Sequence, residues 1–421
     1  MVKIRAFTGY LGNKEDLQEL LAPPYDVLNT EEAREMAKGK PKSFLHCNKP
    51  EIDLPADHDP YDMKTYETGR DNLKAFIEQG LIIKDSEKTM YVYQQTMGDH
   101  TQKALVGLAS NKDYEENRIK KHEYTLAKKE EDRTKLINIQ NASLEPVFLT
   151  FRDNQEPIKA MIEAVSQREC YADCTTDDEV RHVLWRCTPE ESDWFVHEFD
   201  KIPALYVADG HHRTAAAYNV GKIREKEKLA AGETITGEEP FNFFLTLFYP
   251  MDVLKIYDYN RVLKSLNGHT TEQFKEKLSQ HFDINELPDG ADTHPSARHK
   301  FTLHIDNKWH SMDLKEECLD RSTPITQLDS QILTDLIFTP ICDIVDLKKD
   351  SRIDFVGGIR GHKELERRCK EDCVAAIAMF PCSMEEVMDV ADANMIMPPK
   401  STWFEPKPRS GLIMRCFEGE M

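Results

Sequence analysis

The stretch Ala204-Leu205-Tyr206-Val207-Ala208-Asp209-Gly210-His211-His212-Arg213-Thr214-Ala215-Ala216-Ala217 decides how this chain is read. Its five leading apolar residues predict a buried strand, and the Ala-rich segment Thr214 to Lys222 predicts a short helix. Between them a carboxylate, a glycine, two imidazoles and a guanidinium occupy a strand-to-helix turn. The free N–H groups and the positive dipole end of a helix point at such a turn, which makes it a seat for an anion. Gly210 lets the backbone come close. Arg213 can fork onto phosphate oxygens, and Asp209 can hold a hard cation beside them. The plainer reading is a polar turn with a structural His pair. Five such residues at an apolar strand end are costly to desolvate unless they contact something.

Working outward, strands and helices alternate around this turn, which predicts a mixed α/β layer. Upstream lie the strand Pro146 to Thr150 and a charged helical stretch running through Asp132-Arg133. A hairpin of Met90 to Gln94 with Ala104 to Leu108 comes earlier still. Downstream, Ile223 to Pro240 is charged and poorly periodic and reads as an exposed loop. Phe241 to Phe248 reads as a buried strand that closes the sheet. Two prolines in Leu21-Ala22-Pro23-Pro24-Tyr25-Asp26-Val27 exclude a helix interior. A helix from Glu31 to Met36, capped by Asn29 or Thr30, follows, and another spans Thr65 to Glu78. A third segment holds a helix at Thr271 to Gln280, a strand pair around Phe301 to Leu314, a buried strand at Val374 to Phe380, and a helix from Ser383 with Glu386 closing a capping box. The expected division is 1–85, an N-terminal segment; 86–257, the core bearing the turn; and 258–421, a C-terminal α/β domain.

At 421 residues the chain is long enough for two or three domains. A net charge of −20 argues against nucleic acid held by a general basic surface. No run of eighteen apolar residues occurs, so no membrane span is expected, and the start lacks an apolar signal region. The ten Cys have no matching His cluster and read as reduced thiols of a cytoplasmic protein. A monomer or small homo-oligomer is expected.

Two further constellations carry chemistry. His122-Glu123, with Thr125 and then Asp132-Arg133, sets a carboxylate among cations and suits a general base, unless it is a solvated helix face. Met397-Pro398-Pro399-Lys400-Ser401-Thr402-Trp403-Phe404-Glu405-Pro406-Lys407-Pro408 is a stiff polar loop between aromatics and prolines. It suits a small zwitterion or a phosphate, or else is a surface tail. Neither G-x-x-x-x-G-K-[ST] nor G-x-G-x-x-G occurs, so any phosphate is bound in neither the P-loop nor the Rossmann manner.

Together these blocks resemble one family. Asp209 to Arg213 resembles the D-G-H-H-R motif of free serine kinases in the ParB/sulfiredoxin superfamily. Lys121-His122-Glu123 resembles their H-E motif, and Pro399-Lys400-Ser401-Thr402 their C-terminal loop. The match is closer still to a larger group catalogued only as a domain of unknown function. That group shows A-P-P-Y-D-V (Ala22 to Val27), H-E-x-T with D-R (His122 to Thr125, Asp132-Arg133), D-G-H-H-R, Y-N-R (Tyr259 to Arg261) and M-P-P-K-S-T-x-F-x-P-K (Met397 to Lys407). The blocks run in the same order over essentially the whole chain. Many relatives continue D-G-H-H-R with Tyr-Glu, whereas Thr214-Ala215 follow here. The gap from H-E to D-G-H-H-R is also longer than in the compact nucleotide-dependent kinases.

The resemblance implies a ParB/sulfiredoxin-like core and a pyrophosphate-dependent, Mg²⁺-assisted kinase that makes O-phospho-L-serine and phosphate from L-serine and pyrophosphate, reversibly. It implies Glu123 as base with His122 beside it, and Asp209 as catalytic residue and metal ligand. Gly210, His211, His212, Arg213 and Arg133 would hold phosphate, and Lys400, Ser401 and Thr402 the substrate. The rivals are an ATP- or ADP-dependent kinase of serine or another small alcohol, a ParB-like nucleotide-binding module without catalysis, and a phosphoserine-consuming enzyme.

Overall fold

A computed structural model describes residues 1–417. The chain divides into two compact units, Met1–Leu254 together with the tail from Pro406, and Lys255–Glu405. Both mix helices with sheets, the α/β class the sequence predicts.

The first unit is built on a nine-stranded sheet. From one edge the strands run Ile119–Lys120, Leu205–Asp209, Val147–Phe151, Phe243–Pro250, His100–Ser110, Tyr91–Met97, Arg181–Arg186 and Ala172–Thr175, and Ile4–Arg5 also pairs with His100–Ser110. The predicted hairpin forms, with Met97 opposite His100. Phe243–Pro250 does not close the sheet. It lies inside it, parallel to Val147–Phe151 and antiparallel to His100–Ser110. All eight of its residues are buried, the signature of a strand covered on both faces. Phe199 meets Phe151 and Phe248 edge-to-face at 5.1 and 5.0 Å, each ring fully buried. Each such ring stabilises the core by roughly 1.5–3 kcal/mol.

The helix after the turn is longer than the sequence suggests, His211–Ala230, so the first part of the expected loop is helical. Its second half faces water, so it has no apolar period to reveal it. One local pair and one bond to a neighbouring helix hold it instead: Lys222 reaches Glu225 at 3.3 Å, and Arg224 Nε donates to Asn138 Oδ1 on the helix Ala127–Gln140. The helix Thr30–Ala37 starts at a capping box of Asn29 and Glu32. A smaller sheet joins Phe7–Gly12 to Ile82–Thr89 and to Ile413–Cys416, which returns the tail to this unit.

The second unit holds a six-stranded antiparallel sheet in the order Phe282–Glu286, Lys308–Leu314, Lys300–Ile305, Ala375–Ala378, Tyr259–Leu263, Ile353–Gly357. The helix Met384–Asp392 starts at the expected Ser383/Glu386 capping box. All ten Cys are free thiols. Among the described residues no helix is long and apolar enough to cross a membrane.

Candidate active site

Sheet pairing explains why two distant motifs meet. Leu205–Asp209 runs parallel to Ile119–Lys120, with Leu205 opposite Ile119 and Tyr206 opposite Lys120. Both strands therefore release their next residues at the same end of the sheet, the end where α/β sheets carry their ligands. Lys121-His122-Glu123 leaves one strand and Asp209-Gly210-His211 the other. The ladder to Val147–Phe151 slips between Val207 and Asp209, a bulge that re-aims the Asp209 side chain.

Gly210 takes φ +94°, a left-handed conformation, and caps the helix with no side-chain hydrogen bond. A Cβ there would meet the Arg213 guanidinium at 3.1–3.2 Å. The position thus needs glycine for its backbone and for the close pass of Arg213. Arg213, 5% exposed, donates from Nη2 to Asp209 Oδ2 at 2.9 Å and from Nη1 to the Pro146 carbonyl. The Lys407 ammonium reaches Asp209 Oδ1 at 3.3 Å. Burial pushes the Asp209 carboxyl up, but the Lys407 and Arg213 charges outweigh it and hold it below the usual carboxylate range.

Glu123 Oε2 lies 3.8 Å from His211 Nδ1. His211 is buried, whereas the Glu123 side chain is 42% exposed, open to a substrate. His122 does not sit as the orienting neighbour of Glu123. Its ring packs edge-on against His211, centroids 4.4 Å apart, and it is buried. Burial holds His122 down at about 4, against the pull of Asp209, and burial reinforced by His122 pushes His211 well below its ordinary value. Both are neutral imidazoles at pH 7. His212 is only partly buried, and its Nε2 accepts the Leu126 N–H at 3.0 Å, tying the Glu123 loop to the helix.

Arg133 lies deeper than a phosphate ligand would suggest. It is 8% exposed, forks onto Asp132 Oδ2 and donates to the Asn48 carbonyl. Its guanidinium stacks over the Tyr25 ring at 4.1 Å. Glu145 Oε1 ties this layer together, accepting from Tyr25 N–H at 3.1 Å, Asn48 Nδ2 at 2.9 Å and Ser410 Oγ at 2.7 Å. A cavity of about 30 Å³, room for a water, is lined by Asn48, Arg133, Glu145 and Arg213. The Ala22-to-Val27 block thus serves the site by lodging Tyr25 under Arg133, while exposed Asp26 adds negative charge that acts on both Arg213 and His212.

The structure brings together Glu123, His122, Asp209, Gly210, His211, His212 and Arg213 within the first unit, with Arg133 one layer behind. Lys400, Ser401 and Thr402 belong to the second unit. There Lys400 is exposed, Thr402 is half-buried, and Ser401 Oγ is bonded to Ser330 Oγ and to the Pro398 carbonyl, both at 2.8 Å. Sequence reading missed Lys407 and Glu145. Lys407 had a signal, since it ends the Met397-to-Lys407 block. Glu145 had none, because its three partners come from residues 25, 48 and 410.

For Mg²⁺ the donor set is sparse. No group of three His, Cys, Asp or Glu that could hold a metal occurs among the described residues, and both Asp209 oxygens already face cations. Asp209 would be the carboxylate beside an ion that arrived on a phosphate and drew most of its ligands from phosphate and water. They do not fit a protein-caged metal.

Residues 4–331 match the family described as "Protein of unknown function (DUF1015)". Among curated proteins none matches. Among solved structures the chain is similar to a free serine kinase in complex with AMP, at 13% identity and TM-score 0.33, covering 70% of this chain and 86% of that one. It is similar to SbnI with C-terminal truncation from Staphylococcus aureus at 11% identity and TM-score 0.35, covering 72% and 85%. A conserved hypothetical protein from Pyrococcus furiosus matches at 13% identity and TM-score 0.33, over 74% and 95%. Likenesses this loose carry no argument about activity.

Proposed function

We propose, for a chain that belongs to the family described as "Protein of unknown function (DUF1015)", that it is a small-molecule kinase. It moves a phosphoryl group from pyrophosphate to the hydroxyl of free L-serine, giving O-phospho-L-serine and phosphate. The observation that carries this reading is one juxtaposition. An accessible carboxylate, Glu123, stands 3.8 Å from the first residue of a twenty-residue helix whose start has no side-chain cap. Base and anion seat lie side by side, as phosphoryl transfer to an alcohol requires.

In this reaction the serine Oγ gives its proton to the Glu123 carboxylate as it attacks phosphorus. The new Oγ–P bond forms while the bridging P–O bond breaks, and that bond's electron pair leaves with inorganic phosphate. The first N–H groups of the helix and the Lys407 ammonium meet the donor's charge. Arg213 is too buried to fork onto the donor, and acts by fixing Asp209 and by its charge. His212 holds the Glu123 loop through the Leu126 N–H. Neutral His122 and His211 exclude water behind Glu123. Mg²⁺, when carried in on the diphosphate beside Asp209, supplies charge neutralisation. The resemblance assigns Lys400, Ser401 and Thr402 to serine or the transferred phosphoryl.

The test is a donor-by-acceptor screen read by phosphorus NMR. Pyrophosphate with serine and Mg²⁺ is expected to give equal phosphoserine and phosphate. Phosphoserine from ATP or ADP but not from pyrophosphate would overturn the donor. No transfer from any donor would overturn the kinase reading.

A further inference from the structure

We propose that Arg261 is a positioning residue that clamps the Pro399–Lys400 backbone into the one shape in which Lys400, Ser401 and Thr402 can act. This rests on the reading that those three residues serve serine or the phosphoryl group.

Arg261 lies in the middle of the strand Tyr259–Leu263 and is 0% exposed. Among the described residues its side-chain hydrogen bonds all go to backbone carbonyls. Nη1 donates to the carbonyls of Tyr259 and, at 3.1 Å, Lys400, while Nη2 donates to the Pro399 carbonyl at 3.3 Å. Among the described residues Nε finds no partner in its buried surroundings, and the guanidinium stacks over Phe355 at 4.7 Å. A buried guanidinium bonded to no carboxylate is among the costliest side chains to place, and a hydrocarbon of equal volume would fill the space more stably. The residue therefore does something a hydrocarbon cannot: a planar fork grips two successive carbonyls.

What it grips is strained. Lys400 takes φ +58°, left-handed, which a lysine holds only where its surroundings over-determine it. The Arg261 bond to the Lys400 carbonyl supplies that constraint on one side, and the Ser401 hydroxyl bonds to Ser330 and Pro398 supply it on the other. The Lys400 ammonium is drawn over the Tyr259 ring at 5.6 Å. The Gly357-Gly358 pair makes the same joint possible. A Cβ on Gly357 would lie 2.7 Å from the Trp403 ring, and one on Gly358 would overlap the Asp258 carboxylate. Three separated blocks, Asp258 to Arg261, Gly357-Gly358 and Pro398 to Trp403, thus form one device within the second unit.

Arg261→Met and Arg261→Lys test this. In Arg261→Met, amide hydrogen exchange at residues 400–403 is expected to quicken at least tenfold, while the strands Ile353–Gly357 and Ala375–Ala378 keep their protection. With pyrophosphate and serine, kcat is expected to fall and the serine KM to rise, with the pyrophosphate KM unchanged. Arg261→Lys keeps a cation but loses the fork, and is expected to loosen residues 400–403 as Arg261→Met does. Unchanged exchange at 400–403 in both variants would overturn the clamp, whatever the chain phosphorylates. Equal loosening of all three segments would overturn it too, as a plain loss of fold. Local loosening in a protein that phosphorylates nothing would uphold the clamp and sink the kinase reading instead.

Discussion

Replacing Gly210 by alanine separates the two demands made on that residue. The first is conformational: at φ +94° an L-residue costs about 1–2 kcal/mol. The second is steric. The new Cβ would stand 3.1–3.2 Å from three atoms of the Arg213 guanidinium, which must give by a few tenths of an ångström. Arg213 has little freedom to do so, being held at Asp209 and at the Pro146 carbonyl and buried around both. Breaking a buried pair outright costs about 3–5 kcal/mol, and partial displacement a fraction of that. The two demands together are expected to cost about 2–4 kcal/mol. Gly39 is the internal control. It has φ +72° and open space within 4 Å of the place its Cβ would take, so Gly39→Ala carries the conformational cost alone. Urea unfolding of the two variants, followed by circular dichroism, measures the difference. Gly210→Ala is expected to be at least about 1 kcal/mol less stable than Gly39→Ala. Equal losses would show that Arg213 is not locked and that the close pass at Gly210 is incidental.

Glu123→Gln keeps the shape of the loop and removes the base, so turnover is expected to fall about 10²-fold or more with an unchanged melting temperature; near-normal turnover would remove Glu123 from the chemistry. His122 is held neutral by burial at about 4, below its ordinary value near 6.5, so its contribution is fully present above about pH 6.5 and is lost as pH falls towards 4, up to about 3 kcal/mol. His122→Phe is expected to flatten stability over that window, and a pH profile parallel to wild type would contradict it. Lys407→Met removes the largest charge holding Asp209 down, so the carboxyl midpoint in a carbon-13 NMR titration is expected to move up and the pyrophosphate KM to rise. An unmoved midpoint would mean the 3.3 Å contact does not persist in solution.

The sequence by itself determined the elements whose signals are local. An apolar run, a glycine and a row of polar groups were enough to fix the strand, turn and helix at 204–222, because backbone propensity and capping act over a few residues. The capping box at Ser383 was legible for the same reason, and at the earlier helix the cap was narrowed to Asn29 or Thr30. The motif order also singled out Glu123 and Asp209, whose segments leave neighbouring parallel strands at the same end of the sheet. Local signals could not show that Arg213 and Arg133 are buried and bonded to Asp209 and Asp132, or that His122 packs on His211. Burial is set by what a fold lays on top of a side chain. Likewise Phe243–Pro250 reads the same at a sheet's edge as at its centre, and only strand pairing decides between them. Glu145, Lys407 and Arg261 came into view last. Each works on groups far away along the chain, and that proximity exists only once the sheets have closed.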